Sequence, residues 1–516
     1  MGAGPADSDR LCAFLGKGEA FGAPGTEVEQ VTTHAAEIFL VGERAFKMKR
    51  AVRYSFLDFS TLERRKDALD TELRLNRRTA PMLYRRVLPV TRDQRGELAV
   101  DGEGEPVEWL LEMRRFDQAA LLDRIAQRHA LEPGTIDALA TTLAAFHEEA
   151  ERRPDLGGYA AMAEVIDGNA GDLASLVGPV FDDAKVRALD EATRAALTRA
   201  QGVLEQRRAD GFVRHCHGDL HLGNIVLLDG APVLFDCLEF DEALATIDTF
   251  YDLAFLLMDL VHRNLGGLAQ RLLSGYLDAT WDDAGTALLP LFLSCRAAIR
   301  AKVAGFAAKS EAGEANEEID AARAYLDLAQ DFLAPAPARL TAIGGVSGTG
   351  KSTLARALAP GLGAAPGAVI LRSDMIRKKL FGVPPTERLG LEAYREDVSI
   401  KVYDTLLLRA ATLLGAGHSV IVDAVYLEGR DRDRIQQTGA ETGVPFTGLW
   451  LTASAETLMA RVQSRKDDAS DASAAVLQSQ LEVDPGPLDW SKVDAGGDPD
   501  TVAAGARDVL ARSAGQ

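Results

Sequence analysis

The chain has 516 residues, which is too long for one hydrophobic core, so the sequence predicts two or three domains. Hydrophobic residues make up 47% of it and charged residues 26%, as is usual for a globular protein. The 77 acidic residues outnumber the 57 basic ones, and the net charge of -20 argues against a large surface for duplex nucleic acid or anionic lipid. The four cysteines form no Cys-x-x-Cys pair, so neither a disulfide framework nor a structural zinc site is indicated.

The beginning of the chain lacks a basic segment followed by an apolar run, the pattern of a signal peptide. No apolar stretch approaches the roughly 20 residues that a membrane-spanning helix needs. A cytoplasmic location is therefore the expectation.

The first part of the chain is predicted to be rich in β-structure. Residues 37–41 and 45–49 are typical of a hairpin, and residues 62–78 of a helix. Further strands are expected at 87–90, 98–100 and 107–113, followed by a largely helical region at 117–206. The order is a small β-rich lobe followed by a larger helical one.

A loop motif follows, His217-Gly-Asp-Leu-His-Leu-Gly-Asn224, and then a short hairpin that ends at Asp236. Phosphoryl transfer needs a carboxylate near the attacking hydroxyl, oxygen ligands for Mg²⁺ and a cation on the nucleotide phosphates. We expect Asp219 to orient or deprotonate the acceptor hydroxyl, and Asn224 and Asp236 to hold the metal. The motif with its following hairpin is a specific signal for this chemistry.

These residues, together with Asp248-Thr-Phe-Tyr-Asp252, resemble the aminoglycoside phosphotransferase-like branch of the protein-kinase-like fold over about residues 30–330. The resemblance implies an α+β, bilobal, ATP-dependent kinase domain in which Asp252 braces the catalytic loop. It also implies that residues 108–113 connect the lobes and contact adenine. No Gly-x-Gly-x-x-Gly precedes the lysine strand and no His-Arg-Asp is present, so protein substrates are disfavoured.

The lysine of this domain has two candidates. Ala45-Phe46-Lys47 matches the family's Ala-x-Lys strand, but Lys49 points to the same face at period two. We favour Lys47 as the nucleotide contact. Glu72, on the helix predicted at 62–78, is the expected ion-pair partner, the alternative being a solvated charge.

A short segment with two prolines divides the chain. Residues 332–339 separate a predicted helix at 319–331 from an apolar strand, and proline stiffens the backbone and removes a donor. We therefore expect a kinase-like domain at 1–331, a linker at 332–339 and a second domain at 340–516. Apolar strands at 341–344, 369–371, 419–423 and 447–451 alternate with helices there, which predicts an α/β fold with a parallel sheet.

The second domain opens with a complete P-loop pattern, Gly345-Val-Ser-Gly-Thr-Gly-Lys-Ser352, between a strand and a helix. The glycines Gly345, Gly348 and Gly350 allow backbone N–H groups to wrap the phosphates, and Lys351 neutralises their charge. Ser352 is expected to ligate Mg²⁺. Thr353 is either an ordinary first-turn residue or an α-phosphate contact.

Residues after the P-loop indicate a kinase. Asp423 ends an apolar strand at a Walker-B-like position, where it would hold the metal. Arg461 and Arg465 lie four apart on a predicted helix and could close over the transferred phosphoryl group. The region resembles the small P-loop kinases, a group with polynucleotide kinase, gluconate kinase-like and zeta-toxin-like members. That resemblance implies that Asp374 is the base and Arg465 a lid arginine; the alternative for Asp374 is a helix N-cap.

The domain order resembles a bacterial fusion family of an aminoglycoside phosphotransferase-like domain with a P-loop kinase of AAA type. The leading hypothesis is that both domains use ATP and Mg²⁺ to phosphorylate a hydroxyl of a small molecule, such as a sugar, amino-sugar or aminoglycoside. One alternative makes one domain a regulatory nucleotide sensor. The other makes the P-loop half a kinase of polynucleotide 5′ ends, although nucleic acid is a disfavoured partner.

Overall fold

The structure is a computed structural model that describes residues 5–33, 35–54, 57–310, 315–464 and 470–513. Its elements are numbered here in chain order. The first are α1 (Pro5–Leu15), β1 (Val28–Thr32), β2 (Ala36–Val41), β3 (Arg44–Lys49), β4 (Arg53–Tyr54), β5 (Leu57–Asp58), α2 (Leu62–Asn76), β6 (Tyr84–Arg92), β7 (Leu98–Val100), β8 (Glu105–Arg114) and α3 (Leu122–Gln127).

The middle of the chain is mainly helical. Its elements are α4 (Pro133–Glu149), α5 (Gly158–Ala174), α6 (Asp183–Ala209), β9 (Val213–His215), β10 (Ile225–Leu228), β11 (Ala231–Leu234), α7 (Glu242–Ala245), β12 (Thr246–Asp248), α8 (Thr249–His262), α9 (Gly266–Thr280), α10 (Leu289–Ser310) and α11 (Ala315–Phe332).

The last part alternates strands and helices. Its elements are β13 (Leu340–Gly344), α12 (Lys351–Leu358), β14 (Val369–Arg372), α13 (Ser373–Leu380), α14 (Glu396–Gly415), β15 (Val420–Asp423), α15 (Gly429–Thr442), β16 (Phe446–Thr452), α16 (Ala455–Ser464), α17 (Ala474–Leu481), β17 (Ser491–Asp494) and α18 (Pro499–Ser513).

The contacts divide the chain into two compact units. The first consists of Met1–Thr135, Phe146–Leu156 and Val213–Ile247, and the second of Ile136–Ala145, Gly157–Phe212 and Asp248–Gln516. The first unit therefore joins the β-rich beginning of the chain to the loop that carries Asp219. The second contains the long helices and the whole P-loop region.

The first unit is built on a six-stranded antiparallel sheet in the order β1-β2-β3-β8-β6-β7. Neighbouring residues of β3 face opposite sides, as a strand requires: Ala45 packs with Leu69 of α2, whereas Phe46 packs with Phe21 and Phe39. Lys47 and Lys49 share the face of Ala45 by the same alternation. The sheet thereby turns both lysines towards α2.

The expected hairpin and helix of the small lobe are present, but the predicted lobe connection at residues 108–113 is wrong. This stretch lies inside β8, which pairs with β3 on one side and with β6 on the other. Glu108 is buried and forms an ion pair with Arg65, with Nη2 and Oε2 2.7 Å apart. Residues 111–113 pair with both neighbouring strands, so their backbone groups are not available to adenine.

The second unit contains the predicted parallel sheet, with five strands in the order β14-β15-β13-β16-β17. Its core includes Ile343, Leu354, Ile421, Leu449 and Leu510. Strands that run in one direction end at one edge of the sheet, which brings together Gly344, Arg372 and Asp423. The C-terminal strand β17 had no counterpart in the sequence prediction.

None of the helices in the described part of the chain is long and apolar enough to cross a membrane. The prediction of domains at 1–331 and 340–516 stays a prediction. The structure does show that α11 ends at Phe332 and that β13 begins at Leu340.

Candidate functional site: two phosphate-handling centres

The loop after β9 places Asp219 at a sharp bend. Gly218, just before it, has a φ of 83°, a value that residues with a side chain rarely adopt. A Cβ at this position would lie 3.1 Å from the Cβ of Leu238 and 3.2 Å from Ala245. His217 is buried, and its Nε2 donates to the carbonyl of Phe235 at 2.9 Å, which ties the loop to the following hairpin.

The three polar residues predicted for the first centre come from this loop and hairpin. The Nδ2 of Asn224 donates to the Oδ2 of Asp219 at 3.0 Å, which orients the carboxylate. Asp236 follows β11 with a φ of 60°, and its N–H donates to the hydroxyl of Tyr84 at 3.1 Å. A positive φ in a residue other than glycine is strained and often marks a functional position.

Two lysines share the carboxylate of Glu72. Lys47 Nζ lies 2.7 Å from Glu72 Oε1 and 3.0 Å from Asp236 Oδ1. Lys49 Nζ lies 2.7 Å from Glu72 Oε2 and 2.5 Å from Glu239 Oε1. The structure therefore places Glu72 in the interior rather than on a solvated face. Of the two lysines, Lys47 is the one that contacts the metal-binding candidate Asp236. Its role as the nucleotide contact stays a prediction.

The charges of Glu72 and Lys47 hold each other in their ionised forms, whereas burial raises the pKa of Glu239. Burial alone would raise the pKa of Glu72, but Lys47 and Lys49 lower it to about 2. Burial would lower the pKa of Lys47, yet Asp236, Glu72 and Glu239 raise it well above its usual value. The opposite charges outweigh desolvation in both cases, so the cluster is a fixed electrostatic frame beside Asp236.

Helix α2 also fastens the loop and hairpin through residues that the sequence did not single out. The Oδ1 of Asn76, four residues after Glu72, accepts from the N–H of Cys237 at 2.9 Å. Arg78 donates to the carbonyls of His215 at 2.7 Å and Cys216 at 3.0 Å. The i, i+4 spacing of Glu72 and Asn76 was the available signal, because it puts both on one helix face.

In the second centre the glycines of the P-loop have the geometry that phosphate binding requires. Gly345, Gly348 and Gly350 have φ values of 136°, 88° and 87°. A Cβ on Gly345 would lie 2.7 Å from the carbonyl oxygen of Leu451, and one on Gly348 would lie 2.9 Å from that of Leu458. Side chains are therefore excluded at both positions.

Lys351, Ser352 and Asp423 meet at the carboxyl edge of the sheet. Lys351 Nζ donates to the carbonyls of Gly345 and Val346 at 2.9 and 3.2 Å. Ser352 Oγ donates to Asp423 Oδ2 at 2.5 Å. Thr353 is exposed on α12. The structure thus brings the predicted serine and carboxylate together, and Thr353 lies on the outside of their helix.

Asp374 is the second residue of α13, and Arg372 holds the N-cap position of that helix. The alternative role of Asp374 as the N-cap is therefore wrong. Burial raises the pKa of Asp374, and the Asp423 carboxylate adds to this rise, while Arg372, Lys351 and Arg377 oppose it. A carboxylate with a raised pKa, near a P-loop, suits a base that accepts the proton of a hydroxyl.

Of the two arginines predicted to close over the phosphoryl group, Arg461 is among the described residues. Arg465 lies outside the described residues. Arg461 donates a hydrogen bond to the carbonyl of Ala495 at 2.9 Å. Asp471 accepts hydrogen bonds from Lys378 Nζ and from Tyr394 Oη, each at 2.7 Å.

Both centres offer the oxygen donors that Mg²⁺ prefers. In the second, the Ser352 hydroxyl and the Asp423 carboxylate converge within hydrogen-bonding distance. In the first, the amide nitrogen of Asn224 donates to Asp219, so the amide oxygen of Asn224 can serve another partner. The side chain of Asp236 is 43% exposed. The residues present therefore fit Mg²⁺, held by Asn224 and Asp236 in one centre and by Ser352 and Asp423 in the other.

Two family models match different parts of the chain. The chain matches the model of the "Phosphotransferase enzyme family" over residues 60–288 and that of an "AAA domain" over residues 340–485. An uncharacterized protein from Mycobacterium tuberculosis is 32% identical over 454 residues, which cover 86% of this chain and 87% of the relative. A second, from Mycobacterium bovis, matches to the same extent.

Two solved structures are each similar to part of the chain. A choline/ethanolamine kinase family protein from Mesorhizobium loti is 13% identical, covers 63% of this chain and 98% of its own, and has a TM-score of 0.39. A sugar kinase from Janibacter sp. is 24% identical, covers 34% of this chain and 95% of its own, and has a TM-score of 0.26.

The chain belongs to the same family as the mycobacterial proteins. It joins an aminoglycoside phosphotransferase-like domain to a P-loop domain of AAA type, and it is an ATP-dependent kinase that acts on a hydroxyl group.

Proposed function

We propose that both domains are catalytic and that each transfers the γ-phosphoryl group of ATP to a hydroxyl of a sugar, an amino-sugar or an aminoglycoside-like molecule. The domains are those predicted at 1–331 and 340–516, joined by 332–339. One observation carries the proposal: each centre combines a carboxylate base, a lysine and a pair of metal-binding oxygen donors. A centre that served only as a nucleotide sensor would not need the base.

In the first domain, Asp219 accepts the proton of the acceptor hydroxyl as its oxygen attacks the γ-phosphorus. The bond between that phosphorus and the β,γ-bridging oxygen breaks, and ADP leaves with the electron pair. Lys47, fixed by Glu72 at 2.7 Å, places its charge on the phosphates. Mg²⁺ held by Asn224 and Asp236 would neutralise the phosphate oxygens. The hydrogen bond from Asn224 supports this role, since it orients Asp219.

In the second domain, Asp374 performs the same proton transfer. The N–H groups of the P-loop and the ammonium of Lys351 hold the phosphates, with Thr353 as a further contact. Mg²⁺ would be held by Ser352 and Asp423. Arg465 is proposed as a lid arginine that closes over the transferred group. The raised pKa of Asp374, caused mainly by burial, supports its assignment as the base.

A groove near Asp374 supports an acceptor with hydroxyl and amine groups. It has a volume of about 400 Å³, and its lining includes Glu396, Ser399, Tyr403 and Asp431. Arg377, one turn after Asp374 on α13, contacts the Ser399 hydroxyl at 3.5 Å. Carboxylates suit an ammonium group and hydroxyls suit sugar oxygens, so the lining favours an amino-sugar.

The test measures ATP-dependent phosphorylation of a panel of sugars, amino-sugars, aminoglycosides and oligonucleotide 5′ ends. We expect Asp219→Asn to lower transfer to one class of acceptor by about 10² to 10⁴, because that is the usual contribution of a positioned base. Lys351→Ala should abolish transfer to the other class. The matched controls are Asp229→Asn, at an exposed residue of the turn between β10 and β11, and Lys492→Ala, at an exposed residue of β17.

Full activity of Asp219→Asn on every acceptor would refute catalysis in the first domain and favour a regulatory nucleotide sensor. Unchanged activity of Lys351→Ala would remove the P-loop from catalysis. Transfer to oligonucleotide ends alone, lost in Lys351→Ala, would replace the small-molecule acceptor of the second domain with a polynucleotide.

A further inference from the structure

Helix α9 presents a polar face to the edge of the P-loop sheet, and both lie in the second unit. Gln270, Ser274 and Asp278 follow one another at intervals of four, so they lie on one side of the helix. Strand β14 is the end strand of the sheet and pairs only with β15 among the described strands. Its outer backbone groups need partners from outside the sheet.

The first two residues of this face satisfy those outer groups. The Nε2 of Gln270 donates to the carbonyl of Ala368 at 2.8 Å, and the N–H of Ile370 donates to the hydroxyl of Ser274 at 3.2 Å. Four helical residues rise about 6 Å and two strand residues about 6.6 Å. A step of four residues along α9 therefore corresponds to a step of two residues along the extended segment 368–372, which contains β14.

Continuing the register by one step places Asp278 beside Arg372, the last residue of β14. Burial raises the pKa of Asp278, and the guanidinium groups of Arg409 and Arg372 oppose this rise. Asp278 is also an ion-pair partner of Arg409 on α14, with Oδ1 and Nη1 3.4 Å apart. At the end of α9, Lys379 of α13 donates to the carbonyl of Ala279 at 2.7 Å.

Arg409 is itself firmly held. Its Nε and Nη2 donate to the two carboxylate oxygens of Asp283 at 2.8 and 2.9 Å, and Nη2 also donates to the carbonyl of Leu277 at 3.0 Å. These contacts are buried. The carboxylate of Asp278 therefore faces a cation that is held in place by Asp283.

Arg372 is the link to the phosphate site. It is the register partner of Asp423 across β14 and β15, and its Nε lies 3.6 Å from Asp423 Oδ2. That oxygen is the one that accepts the hydrogen bond of Ser352. The guanidinium can pair with Asp278 on the helix or with Asp423 in the metal-binding pair, and these two carboxylates compete for it.

We propose that Asp278 is a positioning residue of the P-loop centre: it competes with Asp423 for Arg372, whose Nε lies 3.6 Å from Asp423 Oδ2, and so keeps Asp423 available to the nucleotide-bound metal. The inference rests on the proposed function of the second domain. It means that a helix encoded before the linker completes a site encoded after it. Without the carboxylate of Asp278, Arg372 pairs with Asp423 and competes with the metal.

The test measures the binding of a fluorescent ATP analogue to the full chain at increasing Mg²⁺ concentrations. The binding that is lost in Lys351→Ala is assigned to the P-loop, and its Mg²⁺ midpoint is the quantity compared. We expect Asp278→Asn to raise the Mg²⁺ midpoint about fivefold, as for one nearby charge in a partly solvated site. The matched control is Ser274→Ala, which removes the preceding hydrogen bond of the same helix face but no charge. It should leave the midpoint unchanged.

A double-mutant cycle makes the argument specific to Arg372. Adding Asp278→Asn to Arg372→Ala should not shift the midpoint further, because the competing cation is already absent. An unchanged midpoint in Asp278→Asn, or an equal shift in the Arg372→Ala background, would overturn the positioning role. If the wild type shows no binding that depends on Lys351, the proposed function of the second domain fails instead, and the positioning role with it.

Discussion

Replacing Glu72 by Gln removes the one negative charge that Lys47 and Lys49 share. The folded chain holds the pKa of Glu72 at about 2, against an ordinary value of 4.5, because the two lysines outweigh burial. A difference of about 2.5 between these values corresponds to about 3 kcal/mol of folding free energy. Little solvent screening reduces this figure, since the side chain is fully buried.

The pH dependence of this effect follows from its sign. The folded pKa lies below the unfolded one, so the stabilisation is complete above about pH 4.5 and is lost as the pH falls towards 2. At pH 7 we expect Glu72→Gln to be less stable than the wild type by about 3 kcal/mol. The difference should shrink as the pH falls through this range.

Hydrogen exchange of the amides in α2 and β3, measured across a urea series, reports this local free energy without interference from the second unit. The matched control is Glu63→Gln, an exposed change in the first turn of the same helix. Equal protection of these amides in the two variants at pH 7 would refute the reasoning, since the shared ion pair would then contribute nothing.

Three further predictions concern single positions. Gly218→Ala should lower the unfolding free energy by about 1–3 kcal/mol, because of its positive φ and the crowding around a Cβ, with hydrogen exchange in the loop as the measurement. Arg207→Met should cost about 3–5 kcal/mol in urea unfolding, since it strands the buried Asp248 and Asp282. The wild type should lose stability as the pH falls from about 6.5 to about 4, because burial lowers the pKa of His418 to about 4 and the unfolded chain binds the proton first. His418→Gln should remove this loss.

Each of these three has an outcome that contradicts it. Gly230 has a φ of 82° with no atom within 4 Å of an added Cβ, so equal costs for Gly230→Ala and Gly218→Ala would exclude crowding. Arg208→Met changes a neighbouring, less buried arginine and should cost far less than Arg207→Met. Equal costs for the two variants would contradict the argument from stranded buried carboxylates. Identical melting curves of wild type and His418→Gln between pH 6.5 and 4 would refute the histidine argument.

The sequence predicted the elements that local pattern controls. The hairpin of β2 and β3, helix α2 and four strands of the parallel sheet were all expected, because alternation and apolar runs are properties of short segments. The P-loop was readable for the same reason, since its chemistry is contained in eight consecutive residues. Both predictions needed no knowledge of distant contacts.

Features that depend on distant residues were not readable. Glu108 to Met113 has an apolar pattern that fits either a strand or an adenine-contacting connection, and only its pairing with β3 and β6 decides between them. The sequence analysis did not single out Arg372, which the register of β14 and β15 places beside Asp423. Glu239 likewise gained meaning only from Lys49. Tertiary pairing determines such roles, and a single sequence does not contain it explicitly.

The cover that α9 gives to β14 affects how the chain can be made and cut. An uncovered end strand offers its unpaired N–H and C=O groups to another molecule and invites sheet-to-sheet aggregation. During synthesis α9 leaves the ribosome before β14, because it precedes it in the chain, so the cover exists before the strand that needs it. A piece of the chain starting at residue 333 would have an open sheet edge, and its poor solubility would say nothing about the kinase chemistry of the intact chain.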